Sequence, residues 1–193
     1  MSYREKIRLD LTNDGAVARV ALASPKANIL DRKMMLDIME SLSGLEWNGK
    51  LKVVIIGSDG PHFSFGASIE EHLPDHIGRT LVQLRELLRA VAVLPAPTIA
   101  AVRGQCLGGG FELALACDLI IAEETAQFAL PEIKLGVFPP AGAALLPLRI
   151  GTSRAADMVL TGASMVATEA KAAGLVQRIA APDDLEPALE RWL

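Results

Sequence analysis

From Pro97 to Glu132 the chain reads PTIAAVRGQCLGGGFELALACDLIIAEETAQFALPE, and that order of residue types leaves few architectures open. Thr98 to Val102 is an apolar run too short for a helix. Gly104, Gly108, Gly109 and Gly110 follow, then a helix-like run from about Gly109 to Cys117, then a second apolar strand from Asp118 to Ala122. Strand, glycine turn, helix and strand make a βαβ unit, so the fold class is α/β with a sheet that is parallel in part. The helix between the strands is apolar on every side except at Glu112. A helix hydrophobic all round is a buried helix. Glu112 is therefore a carboxylate carried inside, where it must be paired, protonated or functional.

The flanking sequence extends this plan. Ile7, Leu9 and Leu11 alternate with Arg8 and Asp10 as in a half-buried strand, Asn13-Asp14-Gly15 turns the chain, and Ala16 to Leu22 returns as a hairpin arm. Asp31 caps a helix to about Leu42 with Met34, Met35, Ile38 and Leu42 on one face. Leu51 to Gly57 shows no alternation, as a strand buried on both faces requires. The loop Ser58 to Ser68 follows that strand, at the strand end where open α/β sheets bind ligands. A long helix then sets Leu81, Leu84, Leu88 and Val91 inward and Arg79, Arg85, Glu86 and Arg89 outward, and Pro95 and Pro97 end it. Further helices are expected from Pro139-Pro140 to Leu148 and from Thr152 or Ser153 to Leu160, then a short one capped by Thr168. Leu175 to Ile179 reads as a strand, and Asp183-Asp184 opens a last helix.

With 193 residues, half of them apolar and 22% charged, the chain is expected to form a single globular domain over 1–193. A net charge of −4 argues against a nucleic-acid partner. Cys106 and Cys117 form no CxxC pair and read as buried, reduced thiols of an intracellular protein. No stretch resembles a signal peptide or a membrane span, so a cytoplasmic location is expected. His62, His72 and His76 match no metal-site spacing, and no metal is expected.

Two carboxylates are candidates for chemistry. Glu112 lies one turn into the buried helix, and Glu132 follows Pro131 at the start of a short turn flanked by Phe128, Leu130, Ile133 and Leu135. Each also fits a first-turn glutamate that complements the helix dipole. Two carboxylates held at different pKa values act as acid and base on one substrate. Gly108-Gly109-Gly110 fits neither a dinucleotide fingerprint nor a Walker loop. Glycines at a helix start do offer bare N–H groups, with the Gly66-Ala67 loop as a second donor for an oxyanion. No GxSxG elbow or serine–histidine pair suggests a hydrolase.

Taken in order, several motifs resemble the crotonase (enoyl-CoA hydratase/isomerase) family. They are Phe63 to Ala67, Pro97 to Val102 with Gly104, Leu107 to Ala114, Cys117-Asp118, Phe128 to Gly136, Thr161-Gly162 and Ala173 to Val176. The resemblance implies a core of stacked ββα turns in a superhelix, followed by a C-terminal helical region that this chain enters and leaves unfinished at Leu193. In the family those last helices cover the active site and build a trimer. It also implies an acyl-CoA thioester as substrate and partner with no other cofactor, and a homo-oligomer, trimer or dimer of trimers.

By the same resemblance, the amides of Ala67 and Gly109 hold the thioester oxygen, and Glu112 and Glu132 flank a water. Lys26, Ala27, Phe65, Gly66, Ser68, Ile69, Gly108 and Pro139 match positions that contact substrate. Having both acids points to an acyl-CoA hydratase. A double-bond isomerase with one acid, and a non-catalytic acyl-CoA-binding or protein-binding module, remain open alternatives. Ser68 stands where the family commonly has Asp, and Pro140 to Ala144 alters a glycine-rich turn, which should reshape the acyl pocket. The segments Phe63 to Pro74 and Gly136 to Pro140 look most like the branch of the family that hydrates cyclohexa-1,5-diene-1-carbonyl-CoA.

Overall fold

The computed structural model describes residues 5–24, 27–73 and 75–192. Strand β1 (Ile7–Thr12) returns antiparallel as β2 (Val17–Leu22) with Ile7 opposite Leu22. The hairpin closes through Asn13, Asp14 and Gly15, all at positive φ, residue types that tolerate the left-handed region. Helix α1 (Arg32–Ser43) starts where Asp31 Oδ1 accepts the Met34 N–H at 2.9 Å, and Met34, Met35, Ile38 and Leu42 face inward as expected.

Strands β3 (Val53–Ser58), β4 (Thr98–Val102), β6 (Leu119–Glu123) and β9 (Arg178–Ala180) continue one sheet from β2, all parallel, in the order β1-β2-β3-β4-β6-β9. The sheet is packed on both faces, and the period of two sorts its side chains. Ala18, Val20, Val54, Ile56, Ala100, Val102, Ile120 and Ala122 join the larger core. Their alternates Val17, Val53, Ile55, Ile99, Ala101 and Ile121 pack under Leu185, Ala188 and Leu189 of the final helix, Leu185–Trp192.

Helix α2 (Ile77–Ala92) follows the long loop, and α3 (Gly109–Ala116) precedes β6. Helices α4 (Pro140–Ile150), α5 (Thr152–Thr161) and α6 (Ala167–Ala172) come later; the final helix is α7.

The structure departs from the sequence expectation at several points. Leu81 of α2 is exposed, and Thr80 and Leu87 turn inward with Leu84, Leu88 and Val91. Three short strands escaped the reading: β5 (Gln105–Leu107), β7 (Gln127–Ala129) and β8 (Ser164–Val166), which form a second sheet in the order β5-β7-β8. The expected βαβ unit is thus β4-β5-α3-β6. Helix α6 is preceded by Val166 as its cap rather than by Thr168, with the Glu169 carboxylate accepting the Val166 N–H at 3.3 Å. The last strand begins at Arg178 rather than Leu175. Cys106 and Cys117 are free and buried, and burial pushes the Cys117 thiol up to about 12. Among the described residues no helix is long and apolar enough to cross a membrane.

Candidate active site

Because β3 and β4 are parallel neighbours, the segments beyond their carboxyl ends leave the sheet side by side. The Phe63 N–H donates to Arg103 O, the Ser64 N–H to Gln105 O, and the Leu107 N–H to Ser64 O, at 2.9–3.0 Å. This pairing lays Gly66-Ala67 against Gly108-Gly109. The approach needs glycine. Gly66 has φ +97°, and a Cβ there would lie 2.9 Å from Leu107 O. A Cβ on Gly109 would lie 3.3 Å from the Ala67 nitrogen. Gly109 is the first residue of α3, so its N–H has no partner within the helix and sits at the positive end of the dipole. The main chains of Ala67 and Gly109 thus run against each other at the start of α3, and main-chain N–H groups at a helix start are the kind of donor that stabilises an oxyanion.

Glu112 lies three residues after Gly109 and is 2% exposed. Its Oε1 accepts the Gly142 N–H at 2.7 Å, from the first turn of α4. Gly142 is packed so closely that a Cβ would lie 2.7 Å from Leu130 Cδ1. The sequence reading missed this residue's part and saw only an altered turn. The signal was there: a lone glycine in Pro-Ala-Gly-Ala-Ala costs helix stability, and such a glycine usually has a packing reason.

Glu132 sits in the 3-10 turn Pro131–Leu135, with Phe128 and Leu130 buried beside it and Ile133 and Leu135 exposed. Its carboxylate lies over Gly108, where a Cβ would be 2.8 Å from Oε1. Oε2 is buried with no hydrogen-bond partner among the described residues. Burial pushes the Glu132 carboxyl up to about 7; its own backbone N–H opposes that rise, and the charge of Glu112 adds to it. The two acids therefore feel each other at the start of α3.

Around this centre Gly66 is buried, Ala67 and Ser68 are half-buried, and Phe65 and Ile69 are exposed. Ala27 is half-buried and its carbonyl accepts the Phe65 N–H at 2.9 Å; Lys26 lies outside the described residues. Pro139 is buried at the start of α4. His62, uninformative in sequence, braces the loop: its Nδ1 accepts the Gln105 N–H at 3.2 Å, and its ring meets Phe65 edge-on at 5.0 Å. An apolar groove of about 880 Å³ runs between α2 and α4, walled by Leu81, Leu88, Ala116, Leu145 and Leu148. Its lining includes Pro140 and Ala141, which precede Gly142 in α4, and neither Glu112 nor Glu132.

The model of the enoyl-CoA hydratase/isomerase family matches residues 12–192, which takes in every element of this centre. The chain belongs to the enoyl-CoA hydratase/isomerase family. Cyclohexa-1,5-dienecarbonyl-CoA hydratase of Thauera aromatica is 42% identical over 186 residues, covering 96% of this chain and 71% of that protein. The enoyl-CoA hydratase of Bacillus anthracis superposes with a TM-score of 0.92 at 32% identity, over 97% of this chain and 75% of the other. DspI of Pseudomonas aeruginosa gives 0.93 at 28% identity, over 100% and 74%. The fold is accordingly the crotonase fold, and the enzyme class is that of the enoyl-CoA hydratase-type lyases.

Proposed function

We propose that this enoyl-CoA hydratase/isomerase family member adds water across the conjugated double bond of an enoyl- or dienoyl-CoA. The observation that carries this reading is the placement of two unlike carboxyls at one helix start. Glu112 is held as an acceptor by an amide, while the Glu132 carboxyl is raised to about 7 and has a buried oxygen without a partner among the described residues.

In the proposed reaction the thioester oxygen lies between the Ala67 and Gly109 amides and takes up negative charge as water attacks. Glu112 accepts a proton from the water, whose oxygen bonds to the β-carbon. The π electrons move toward the thioester as an enolate, and Glu132 delivers its proton to the α-carbon. Exchange with solvent resets both acids. An oxyanion donor contributes roughly 10²–10³ in rate, and acid–base transfer about 10²–10⁴.

Lys26, Ala27, Phe65, Gly66, Ser68, Ile69, Gly108 and Pro139 are assigned to the CoA and acyl portions on the family resemblance. No cofactor beyond the thioester itself is required. The name of the Thauera aromatica relative supports a cyclic dienoyl group as the acyl portion. The family resemblance supports a homotrimer or dimer of trimers, which light scattering on purified protein tests directly.

The test of function is loss of enoyl absorbance with a panel of linear and cyclic enoyl-CoAs, run with Glu112→Gln and Glu132→Gln separately. Hydration lost in both variants is the expected result. Loss of water addition in only one of them favours double-bond migration, and thioester binding without turnover in the parent chain overturns the proposal.

A further inference from the structure

Ser64 and Asn28 are both buried, at 0% and 4% exposure, and neither side chain belongs to the machinery described so far. Ser64 Oγ donates to Asn28 O at 2.7 Å and accepts the Gly66 N–H at 3.0 Å. Its main chain is clamped to β5 on both sides, so the hydroxyl has a fixed origin. Asn28 sits at φ +44°, in the left-handed region that asparagine tolerates. Its Oδ1 accepts the Ser24 N–H at 3.0 Å, and its Nδ2 donates to His62 O at 3.1 Å. Two residues on, the Leu30 N–H donates to Gly66 O at 2.9 Å.

That last bond acts on the peptide that carries the Ala67 amide. The Gly66–Ala67 peptide is planar and trans, so its C=O and N–H point in opposite directions. Holding the carbonyl from the Leu30 side aims the N–H away from Leu30. Ser64 Oγ holds the preceding N–H, so the chain is fixed on both sides of Gly66, a residue free to turn about its own φ and ψ.

We propose that Ser64 and Asn28 are positioning residues for the Ala67 N–H: Asn28 sets the turn that delivers Leu30 to Gly66 O, and Ser64 locks Gly66 to that turn. The inference rests on the hydratase reading above, because it gives the Ala67 amide an oxyanion to hold. Neither side chain touches the substrate. Their contribution lies in direction, and a small error in donor direction lowers stabilisation of the transition state more than it lowers ground-state binding.

The test binds a saturated acyl-CoA, carrying a ¹³C label at the thioester carbonyl, to the full chain and reads its infrared stretch beside kcat and KM for hydration. In the parent protein the stretch is expected to move to lower frequency on binding. Ser64→Ala is expected to lose much of that shift and to lower kcat about 10- to 100-fold with KM changed little. The basic limb of the pH profile should stay in place, since Glu132 keeps its surroundings. Ser64→Cys, which retains a donor and an acceptor, should recover part of both readouts. Asn28→Asp, which keeps an acceptor for the Ser24 N–H but turns an oxygen toward His62 O, should fall in the same direction.

A Ser64→Ala protein with a lower melting temperature but parental carbonyl shift and kcat would show a purely structural serine and overturn the inference. So would parental values in both Ser64→Ala and Asn28→Asp. A parent protein that binds the thioester and leaves its carbonyl stretch unmoved sinks the hydratase reading itself, which is a different result.

Discussion

Glu132 has one buried oxygen without a hydrogen-bond partner among the described residues, and its proton is the property most open to measurement. Its carboxyl is raised from 4.5 to about 7, so the folded chain holds that proton more tightly than the unfolded chain does. The contribution to stability is neutral below about 4.5, declines as pH rises, and reaches its full penalty above about 7. Glu132→Gln is expected to melt at the same temperature as the parent at pH 4 and higher than the parent at pH 8, a crossover that calorimetry resolves. The kcat/KM of the parent should fall as pH rises through about 7, and that limb should vanish in Glu132→Gln along with roughly 10²–10⁴ of the rate.

Gly142 provides the companion test. Gly142→Ala drives a methyl against Leu130 and should cost about 1–3 kcal/mol by denaturant titration. It should also slow hydration, because the donor that fixes Glu112 moves with the helix. The importance of Glu112 could be read from its apolar surroundings, since an isolated charge in such a run demands an account. That of Gly142 was harder to see, because a backbone donor shows in the sequence only as a glycine inside a helical run.

Helix α3 is short, and its two ends are secured differently. Its start is shaped by glycine, while its end is held from α4. Arg149 donates to Leu115 O at 3.3 Å, Cys117 O at 2.5 Å and Asp118 O at 2.9 Å, a cation on the carbonyls that a helix leaves open. Replacing it by methionine keeps the apolar stem and leaves those carbonyls without their donor. Arg149→Met is expected to lower stability by about 2–3 kcal/mol in urea. It should also weaken turnover, since α4 then loses one of its holds on α3 and keeps the Gly142–Glu112 bond.

A long periodic element such as α1 was legible because many residues vote on one face. The three-residue strands β5, β7 and β8 were not: three residues carry no usable period, and each forms only because a neighbouring chain offers a ladder. Leu81 shows a related limit. It falls at helical spacing with Leu84 and Leu88, yet lies at the edge of the stripe, where it faces the groove toward α4.

Across the molecule, the sheet separates two jobs. One face carries the larger core and the acids; the other is closed by α7 through Leu185, Ala188 and Leu189. The unbroken apolar run Val53-Val54-Ile55-Ile56 announced that both faces would be covered, although it could not say by what. Leu189→Ala removes a fully buried side chain on the face away from the chemistry. It should cost about 2–5 kcal/mol of unfolding free energy. The kcat of the protein that remains folded should match the parent, which separates scaffold from centre in one variant.

A last consequence belongs to the meeting of Ala67 and Gly109. The donors proposed to stabilise the growing negative charge are parts of the polypeptide itself, so no exchange of one side chain for another deletes them; they persist as long as the loops run alongside each other. The acids at 112 and 132 have no such protection, and a single codon change replaces either. A lineage built on this scaffold can trade its proton chemistry by single substitutions and still carry those two amides, provided the glycines and buried bonds that aim them are kept.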